Sequence, residues 1–264
     1  MSLSLEQKKF LKKQKKNKIV IFCTQIFLVI AFLFIWQFLA DKKIINSFIF
    51  SSPKNVLNCF IELLNSNNLY IHIYTTLKEV LIAFLLGIGL GFIIAILLYS
   101  FKTLNKILEP FLTMLNSLPK VALGPMIIIW CGANTNSIII MALLISVITS
   151  VINILNGFNS VDELKIKMLK SLGAGKLQIL WYIIIPNSYQ TIISTLKINI
   201  AMTLIGVIMG EFLVSKAGIG YLIIYGTQVF NLDLVITGIA LLAIISFILY
   251  KLIATIERIL IKSF

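Results

Sequence analysis

The chain is poor in the residues that build metal sites, disulfide frameworks and catalytic clusters. Its 264 residues include one histidine, His72, and three cysteines, Cys23, Cys59 and Cys131. An odd and scattered set of cysteines argues against a disulfide framework and against a metal site. No carboxylates, histidines and cysteines are grouped for a metal enzyme or a membrane-embedded hydrolase, so we expect no catalytic residue, no metal and no cofactor.

A phosphate-binding loop is also missing. The Gly-Lys pair at 175–176 is followed by leucine, and position 170 holds a lysine where the first glycine of such a loop belongs. The Gly-Ile-Gly-Leu-Gly run at 87–91 lies inside an apolar stretch with no preceding strand, which favours helix packing over nucleotide binding. The chain therefore cannot hydrolyse ATP by itself.

Acidic residues are scarce, with 10 Asp and Glu against 23 Lys and Arg, for a net charge of +13. Such a charge in a soluble protein would suggest nucleic acid, but here the lysines cluster at the ends of apolar runs, as in membrane proteins. Seven precede the first run: Lys8, Lys9, Lys12, Lys13, Lys15, Lys16 and Lys18. They predict a cytoplasmic N-terminus that contacts anionic membrane lipid, and no nucleic-acid partner.

Apolar residues are abundant, at 59% of the chain with a mean hydropathy of +1.01. They form runs long enough to cross a bilayer, which takes about 20 mostly apolar residues per helix. The sequence therefore predicts an all-α polytopic membrane protein with about six transmembrane helices, in a cell (cytoplasmic or inner) membrane. We place the spans near 19–40, 77–100, 108–130, 136–156, 187–213 and 233–256.

Two glycine pairs within these runs are spaced for helix packing. Gly87 and Gly91 are four residues apart, as are Gly206 and Gly210. Small residues at this spacing let a neighbouring helix approach closely.

Two segments outside the spans have features of their own. Residues 51–53, Ser-Ser-Pro, precede apolar residues at helical spacing and predict a short amphipathic helix at the membrane surface. Residues 218–220, Gly-Ile-Gly, predict a tight turn before an apolar segment that is too short to span and could fold back against the bundle.

The polar segment at 160–186, between the fourth and fifth spans, has the signals of an independent helix. Ser160 and Glu163 are spaced as a capping box. Leu164, Met168 and Leu172 form an apolar stripe. The remaining signals end the helix or follow it: Gly173 at its C-terminal end, a second helical piece from Lys176, and a break at Pro186. Physics alone leaves two interpretations, a membrane-surface helix or a helix that docks into a groove on a partner.

Three charged residues fall within or near the spans: Lys120, Lys197 and Glu211. Charges inside a membrane are costly and usually face a cavity or a partner. Lys197 and Glu211 are fourteen residues apart, about 21 Å along a helix, so we expect them to have separate partners. Each could line a path for an anionic solute or could simply pair with a neighbouring helix.

Several motifs resemble those of permeases from ATP-binding-cassette (ABC) importers. Residues 171–174, Ser-Leu-Gly-Ala, followed by Pro186, look like the coupling segment that contacts the ATPase. Further motifs resemble the nitrate/sulfonate/taurine branch, in consistent order over about 50–256: 51–53, 118–122 with Pro125, 130–132, 210–213 and 218–223. One departure is clear, because Lys167, Met168 and Leu169 replace the Glu-Ala-Ala of the family motif.

The resemblance implies a type I ABC importer permease fold and a non-catalytic subunit. A second copy of the chain, cytoplasmic ABC ATPase subunits and an extracytoplasmic solute-binding protein would be its partners. The solute would be small and anionic, such as a sulfonate, taurine or nitrate, or a vitamin precursor. The alternative is a stand-alone ion-coupled secondary transporter or channel, which would need no docking helix.

The resemblance also divides the chain and assigns coupling residues. The expected parts are a basic cytoplasmic N-terminus (1–18), an anchor span (19–40), an extracytoplasmic amphipathic segment (41–69), the permease domain (70–256, with the coupling segment at about 160–186) and a cytoplasmic tail (257–264). The ATPase-coupling residues would be Glu163, Leu164, Lys167, Met168, Leu172, Gly173, Ala174 and Pro186. With lysine at position 167, we expect the ATPase to present acidic residues there.

Overall fold

A computed structural model describes the chain over residues 5–66 and 68–262, and every regular element in those residues is helical. Residues 1–4 and 263–264 of the predicted N-terminus and tail lie outside the described residues, as do the side chains of Lys8, Lys9, Lys12, Lys15 and Lys18.

Thirteen α-helices follow one another along the described chain. The first six are α1 (Leu5–Asp41), α2 (Ser47–Phe50), α3 (Pro53–Asn65), α4 (Asn68–Ser100), α5 (Lys102–Ser117) and α6 (Gly124–Cys131). The others are α7 (Thr135–Asn159), α8 (Glu163–Ser171), α9 (Lys176–Ile179), α10 (Ile185–Asn187), α11 (Tyr189–Val214), α12 (Ile219–Gln228) and α13 (Leu232–Lys262). A 3₁₀ turn (Lys120–Leu123) precedes α6, and a π-helical turn (Leu180–Ile184) precedes α10.

Five helices are long and apolar enough to cross a membrane: α1 from Ile19, α4, α7, α11 and α13 to Ile259. They match five of the six predicted spans, although α4 begins about nine residues before the predicted start at 77. The span predicted near 108–130 is not one continuous helix. That region forms α5 and then the 3₁₀ turn with α6, which are bent by 88° relative to each other.

The bend has a local cause at Pro119. Proline disfavours helical backbone in the residue before it, and Leu118 is extended, with φ −65° and ψ 141°. Beyond the bend, α6 is held by the bundle, because a Cβ at Gly124 would lie 2.6 Å from Leu213 and 3.0 Å from Met141. The sixth crossing, if α5 and α6 make one, is thus a broken helix.

The centre of the bundle is formed by α4, α7 and α11, with α7 packed against both of the others. Glycines allow this close packing. A Cβ added to Gly206 of α11 would lie 2.4 Å from the Cα of Ala142 in α7. The other three predicted packing glycines also face α7: Gly87 against Ser146, Gly91 against Ser150, and Gly210 against Ile138.

The two segments outside the spans fold as predicted. Ser52 caps α3, with its hydroxyl accepting the Asn55 N–H at 3.2 Å. Gly218 has a φ of +123°, which glycine alone adopts easily, and α12 starts directly after it. Both helices pack against α13.

Candidate functional site

The helix α8 begins two residues later than the sequence suggested, and the predicted capping box is wrong. The Asp162 carboxylate accepts the N–H of Leu164 at 2.8 Å and is the N-cap. Ser160 instead ends α7, with its hydroxyl donating to the Gly157 carbonyl at 2.8 Å. Asp162 has the extended backbone that an N-cap needs, whereas Ser160 is still helical, and this difference decides between them.

The apolar stripe of α8 is exposed. Leu164, Met168 and Leu172 have relative exposures of 71%, 59% and 77%. On the inner side of the helix, Ile166 and Leu169 pack against a buried cluster formed by the ends of α7, α9 and the π-helical turn. The helix is thus fixed to the bundle by one face and presents apolar side chains on another.

The C-terminal end of α8 has the predicted left-handed glycine. Gly173 has a φ of +83°, its N–H donates to Lys170 O at 3.0 Å, and the Ala174 N–H donates to Leu169 O at 3.1 Å. These two bonds form a Schellman motif, which satisfies carbonyls at the helix end. An added Cβ would meet no atom within 4 Å, so the turn requires glycine for its backbone conformation and not for space.

The predicted break at Pro186 is wrong, because helical structure continues through that residue. Before it the helix widens, and the Ile185 N–H donates to Leu180 O, five residues back. A π-helical turn is one way to accommodate a residue that lacks an N–H, because it re-pairs the neighbouring groups. The interruption comes at Ser188, whose hydroxyl donates to the Gly157 carbonyl of α7 at 2.8 Å.

A side-chain hydrogen bond joins α8 to α10, the short helix that precedes α11. The Lys165 ammonium donates to Asn187 Oδ1 at 2.5 Å. Together with the bond from Ser188 to Gly157 of α7, this bond ties α8 to the junction between α7 and α11. Glu163 and Lys167, both exposed, form an ion pair along α8 at 3.3 Å.

The three charged candidates of the membrane region lie apart and have different partners. Lys197 of α11 pairs with Glu257 of α13, with 2.8 Å between Nζ and Oε2. Lys120 at the bend donates to the carbonyl of Asn116 at 3.0 Å and to its Oδ1 at 3.3 Å. Glu211 has neither as its partner, in line with the expectation that Lys197 and Glu211 are too far apart to pair.

Glu211 is completely buried at the junction of α4, α11 and α12. Its Oε1 accepts the Thr76 hydroxyl at 2.6 Å, and its Oε2 accepts the Gly220 N–H at 2.5 Å. The sequence analysis missed its neighbour Glu79, which is buried against it. A signal was available, because Thr76 and Glu79 are three residues apart on a membrane-spanning helix and therefore share a face.

The part of the chain that the structure describes holds no group of three or more His, Cys, Asp or Glu placed to bind a metal ion. The arrangement comprises an exposed apolar face on α8, a bent helix pair with a lysine at its bend, and a buried pair of carboxyl groups.

The sequence model of one family matches residues 87–263, and that family is described as the binding-protein-dependent transport system inner membrane component. A riboflavin transport system permease protein of Chloroflexus aurantiacus is 30% identical, with 82% of this chain and 81% of the relative covered. A taurine transport system permease protein of Escherichia coli is 25% identical, with 81% and 80% covered.

Solved structures share the fold. A chain of the MetNI methionine ABC transporter, in an inward-facing conformation, matches with a TM-score of 0.61 at 16% identity, covering 71% of this chain and 93% of its own. A chain of a bacterial ABC transporter involved in the import of alginate, an acidic polysaccharide, matches with a TM-score of 0.66 at 17% identity, covering 94% and 98%.

Proposed function

The chain belongs to the family of binding-protein-dependent transport system inner membrane components, and on that premise we propose that it forms the path of an ATP-driven importer for a small anionic solute. It is the multi-pass permease component of a binding-protein-dependent ABC importer. ATP hydrolysis belongs, in this proposal, to cytoplasmic ATPase subunits, and an extracytoplasmic binding protein delivers the solute.

The observation that carries the proposal is the exposed apolar stripe of α8. Leu164, Met168 and Leu172 lie on a short capped helix outside the spans. Exposed apolar side chains at helical spacing suit insertion into a groove on a partner. We assign this stripe, with Glu163 and Lys167 beside it, to the ATPase.

The contacts behind the stripe suit the transmission of movement. Ile166 and Leu169 fix the inner face of α8 to the bundle, and Lys165 bonds to Asn187. A displacement of α8 by the ATPase would therefore carry the junction of α7 and α11 with it as a rigid unit. The chain returns from α8 to α11 through the turn at Gly173 and Ala174 and the helical segment that contains Pro186. This arrangement fits switching between inward and outward access.

The test is to place a charge in the stripe. Met168→Glu should reduce co-purification with the cognate ATPase and abolish ATPase activity stimulated by the binding protein in reconstituted vesicles. Asn58→Glu puts the same charge on the exposed face of α3 and is the matched control. If the Met168→Glu variant assembles with the ATPase and is stimulated as the wild type is, the stripe does not dock the ATPase.

We propose two copies per importer, with the N-terminus of each in the cytoplasm. The lysine-rich segment before α1 supports this orientation. With six crossings, α8 then falls on the same side as the N-terminus, where the ATPase is found.

The solute belongs, in our proposal, to the range of sulfonates, taurine, nitrate or a vitamin precursor. Lys120 is the best placed of the charged candidates to meet an anion, because it lies at the bend and bonds only to Asn116 of its own segment. Lys197 and Glu211 have close partners on neighbouring helices, which fits a structural role within the path's wall. Affinity screening of the cognate binding protein would identify the solute.

A second candidate is a stand-alone ion-coupled transporter. The buried carboxyls Glu79 and Glu211 favour it, because ionisable groups inside spans often belong to ion or proton pathways. Vesicles that contain this chain alone distinguish the two. Solute uptake driven by an ion gradient without ATPase would support the second candidate, and uptake that requires ATP and the ATPase would support the first.

A further inference from the structure

Glu79 of α4 and Glu211 of α11 form a pair of carboxyl groups inside the bundle. Their relative exposures are 2% and 0%, and they lie side by side, because Thr76, one turn before Glu79 on α4, donates its hydroxyl to Glu211. We call them the carboxyl pair. Two carboxyl groups in contact away from water are unusual, because two ionised groups there would repel each other strongly.

Glu211 is surrounded by donors. The Thr76 hydroxyl donates to one oxygen at 2.6 Å, the Gly220 N–H donates to the other at 2.5 Å, and the Tyr221 N–H also points at the carboxyl group. A Cβ at Gly218 would lie 2.4 Å from the carboxyl carbon, so the glycine turn encloses the group. Such a site suits an ionised acceptor.

Glu79 has the opposite surroundings. Its Oε2 is buried and makes no hydrogen bond. Its neighbour Glu211 already accepts from other donors. A carboxylic acid that donates to Glu211 satisfies both groups, whereas an ionised Glu79 would have no donor to accept from.

Lys78, next to Glu79 along α4, attracts it electrostatically but forms no ion pair with it. Lys78 and Lys216 are exposed, and no ion pair within 5–66 and 68–262 reaches either carboxyl group. His72 accepts the Gly218 N–H through Nδ1 and stacks on the Tyr221 ring.

The other helices packed on this junction add no counter-charge. The sequence of α7 has no ionisable side chain. On α13, Lys251 and Arg258 are exposed, and Lys251 lies over the Phe247 ring. The acidic residues of α13, Glu257 and Asp233, are engaged with Lys197 and Ser51. A proton is therefore the simplest positive charge that fits.

We propose that Glu79 and Glu211 together bind one proton, with Glu79 as the donor, and that this proton locks α4 and α11 to the glycine turn before α12. The lock is separate from the exposed stripe of α8. It holds Thr76, which accepts the Ile219 N–H at 2.8 Å, and with it the start of α12. Loss of the proton leaves two negative charges in contact and loosens the turn.

The sign of the pH dependence follows from proton counting. The folded pair retains one proton, while two exposed glutamates in an unfolded chain retain none at neutral pH. The folded state then binds more protons, so its stability falls as pH rises through the release of the shared proton.

The experiment measures the unfolding temperature of the purified full-length chain in lipid nanodiscs between about pH 6 and pH 9. The wild-type temperature should fall by several degrees with rising pH. Glu79→Gln keeps a donor that cannot ionise, and its temperature should be nearly constant. Glu62→Gln alters an exposed carboxyl on α3 and should follow the wild type. If the unfolding temperature of Glu79→Gln falls with rising pH as steeply as that of the wild type, the proposal is overturned.

Two further measurements use the wild-type chain, in case the variant does not fold. Infrared spectra in heavy water at neutral pH should show the C=O band of one protonated carboxyl group, which alkaline titration removes; its absence overturns the proposal. Replacing sodium chloride with choline chloride should leave the unfolding temperature unchanged. A specific stabilisation by sodium would assign the pair to a metal cation instead of a proton.

Discussion

Gly206 allows α11 to lie directly on the backbone of α7. An added methyl group would be 2.4 Å from the Cα of Ala142, and neither backbone can move without disturbing the central contact. We expect Gly206→Ala to lower the free energy of unfolding by about 1–3 kcal/mol, the usual cost of overpacking. Denaturant unfolding of both proteins in mild detergent measures this difference in the free energy of unfolding.

The matched control is Gly89→Ala in α4. A Cβ at Gly89 meets no atom within 4 Å, so the same substitution should leave stability unchanged or raise it slightly through helix propensity. Equal stability of the two variants would mean that the close contact between α7 and α11 relaxes at no cost.

Single residues were predictable where their chemistry is local. The four packing glycines and Gly173 follow from spacing and backbone freedom. The sequence did not identify the N-cap of α8, because Ser160 and Asp162 both carry suitable side chains. The position where α7 ends decides between them. Glu79 was missed since its partner is 132 positions away in sequence, and burial against that partner is what makes it unusual.

Among the elements, α8 carries a charged pair whose contribution can be separated from docking. The side chains of Glu163 and Lys167 are 82% and 68% exposed, and such a pair contributes little to stability. Lys167→Glu should therefore leave α8 intact but weaken assembly with an ATPase that presents acidic residues, as measured by co-purification.

The control for this variant exchanges both charges. Glu163→Lys with Lys167→Glu restores an ion pair along the helix, although in the less favourable order. We expect assembly to remain weak, because the negative charge still faces the partner at position 167. Wild-type assembly in both variants would show that Lys167 makes no contact with the ATPase.

The elements that the sequence misplaced depend on distant contacts. Pro119 predicts a kink but not a bend of 88°, because the direction of α6 is set by Gly124 meeting Leu213 and Met141. Pro186 predicts an end to the helix, yet Ser188 anchors the following turn to α7, and the helix widens instead of stopping. Local signals locate such irregularities, and tertiary packing decides their form.

At the scale of the whole molecule, α1 stands apart from the bundle. Within Ile19–Asp41 only Ala40 is buried. The main packing partner of α1 is α3, where Gln37 Oε1 accepts the Lys54 N–H at 3.1 Å. Lipid or the proposed second copy would cover its surface.

Deletion of residues 1–41 should therefore leave the core of one copy intact. We expect the unfolding temperature in detergent to change little, because α4, α7 and α11 lose no buried contact with α1. The deletion of α12, which packs on α11 and α13, is the contrasting variant and should unfold the chain. A large loss of stability on removal of 1–41 would place α1 in the core.

Hydropathy predicted the architecture but not which helices form its centre. The spans at 19–41 and 135–159 have the same mean hydropathy, yet none of the first window and 44% of the second is buried. What distinguishes α7 is its set of small polar residues, such as Ser146 and Ser150, which fit against glycines and Asn199. Their importance appears only once the partner helices are known.

The π-helical turn at Leu180–Ile184 also determines the direction in which the side chains that follow it point around the helix axis. One extra residue in a turn rotates everything that follows by about 100° relative to an uninterrupted α-helix. Side chains after the turn are therefore rotated by that angle from the positions that an uninterrupted α-helix through Leu180–Ile184 would give them. Removing a single residue between Leu180 and Ile184 would turn the buried face of α11 toward lipid, although the composition of the segment would hardly change.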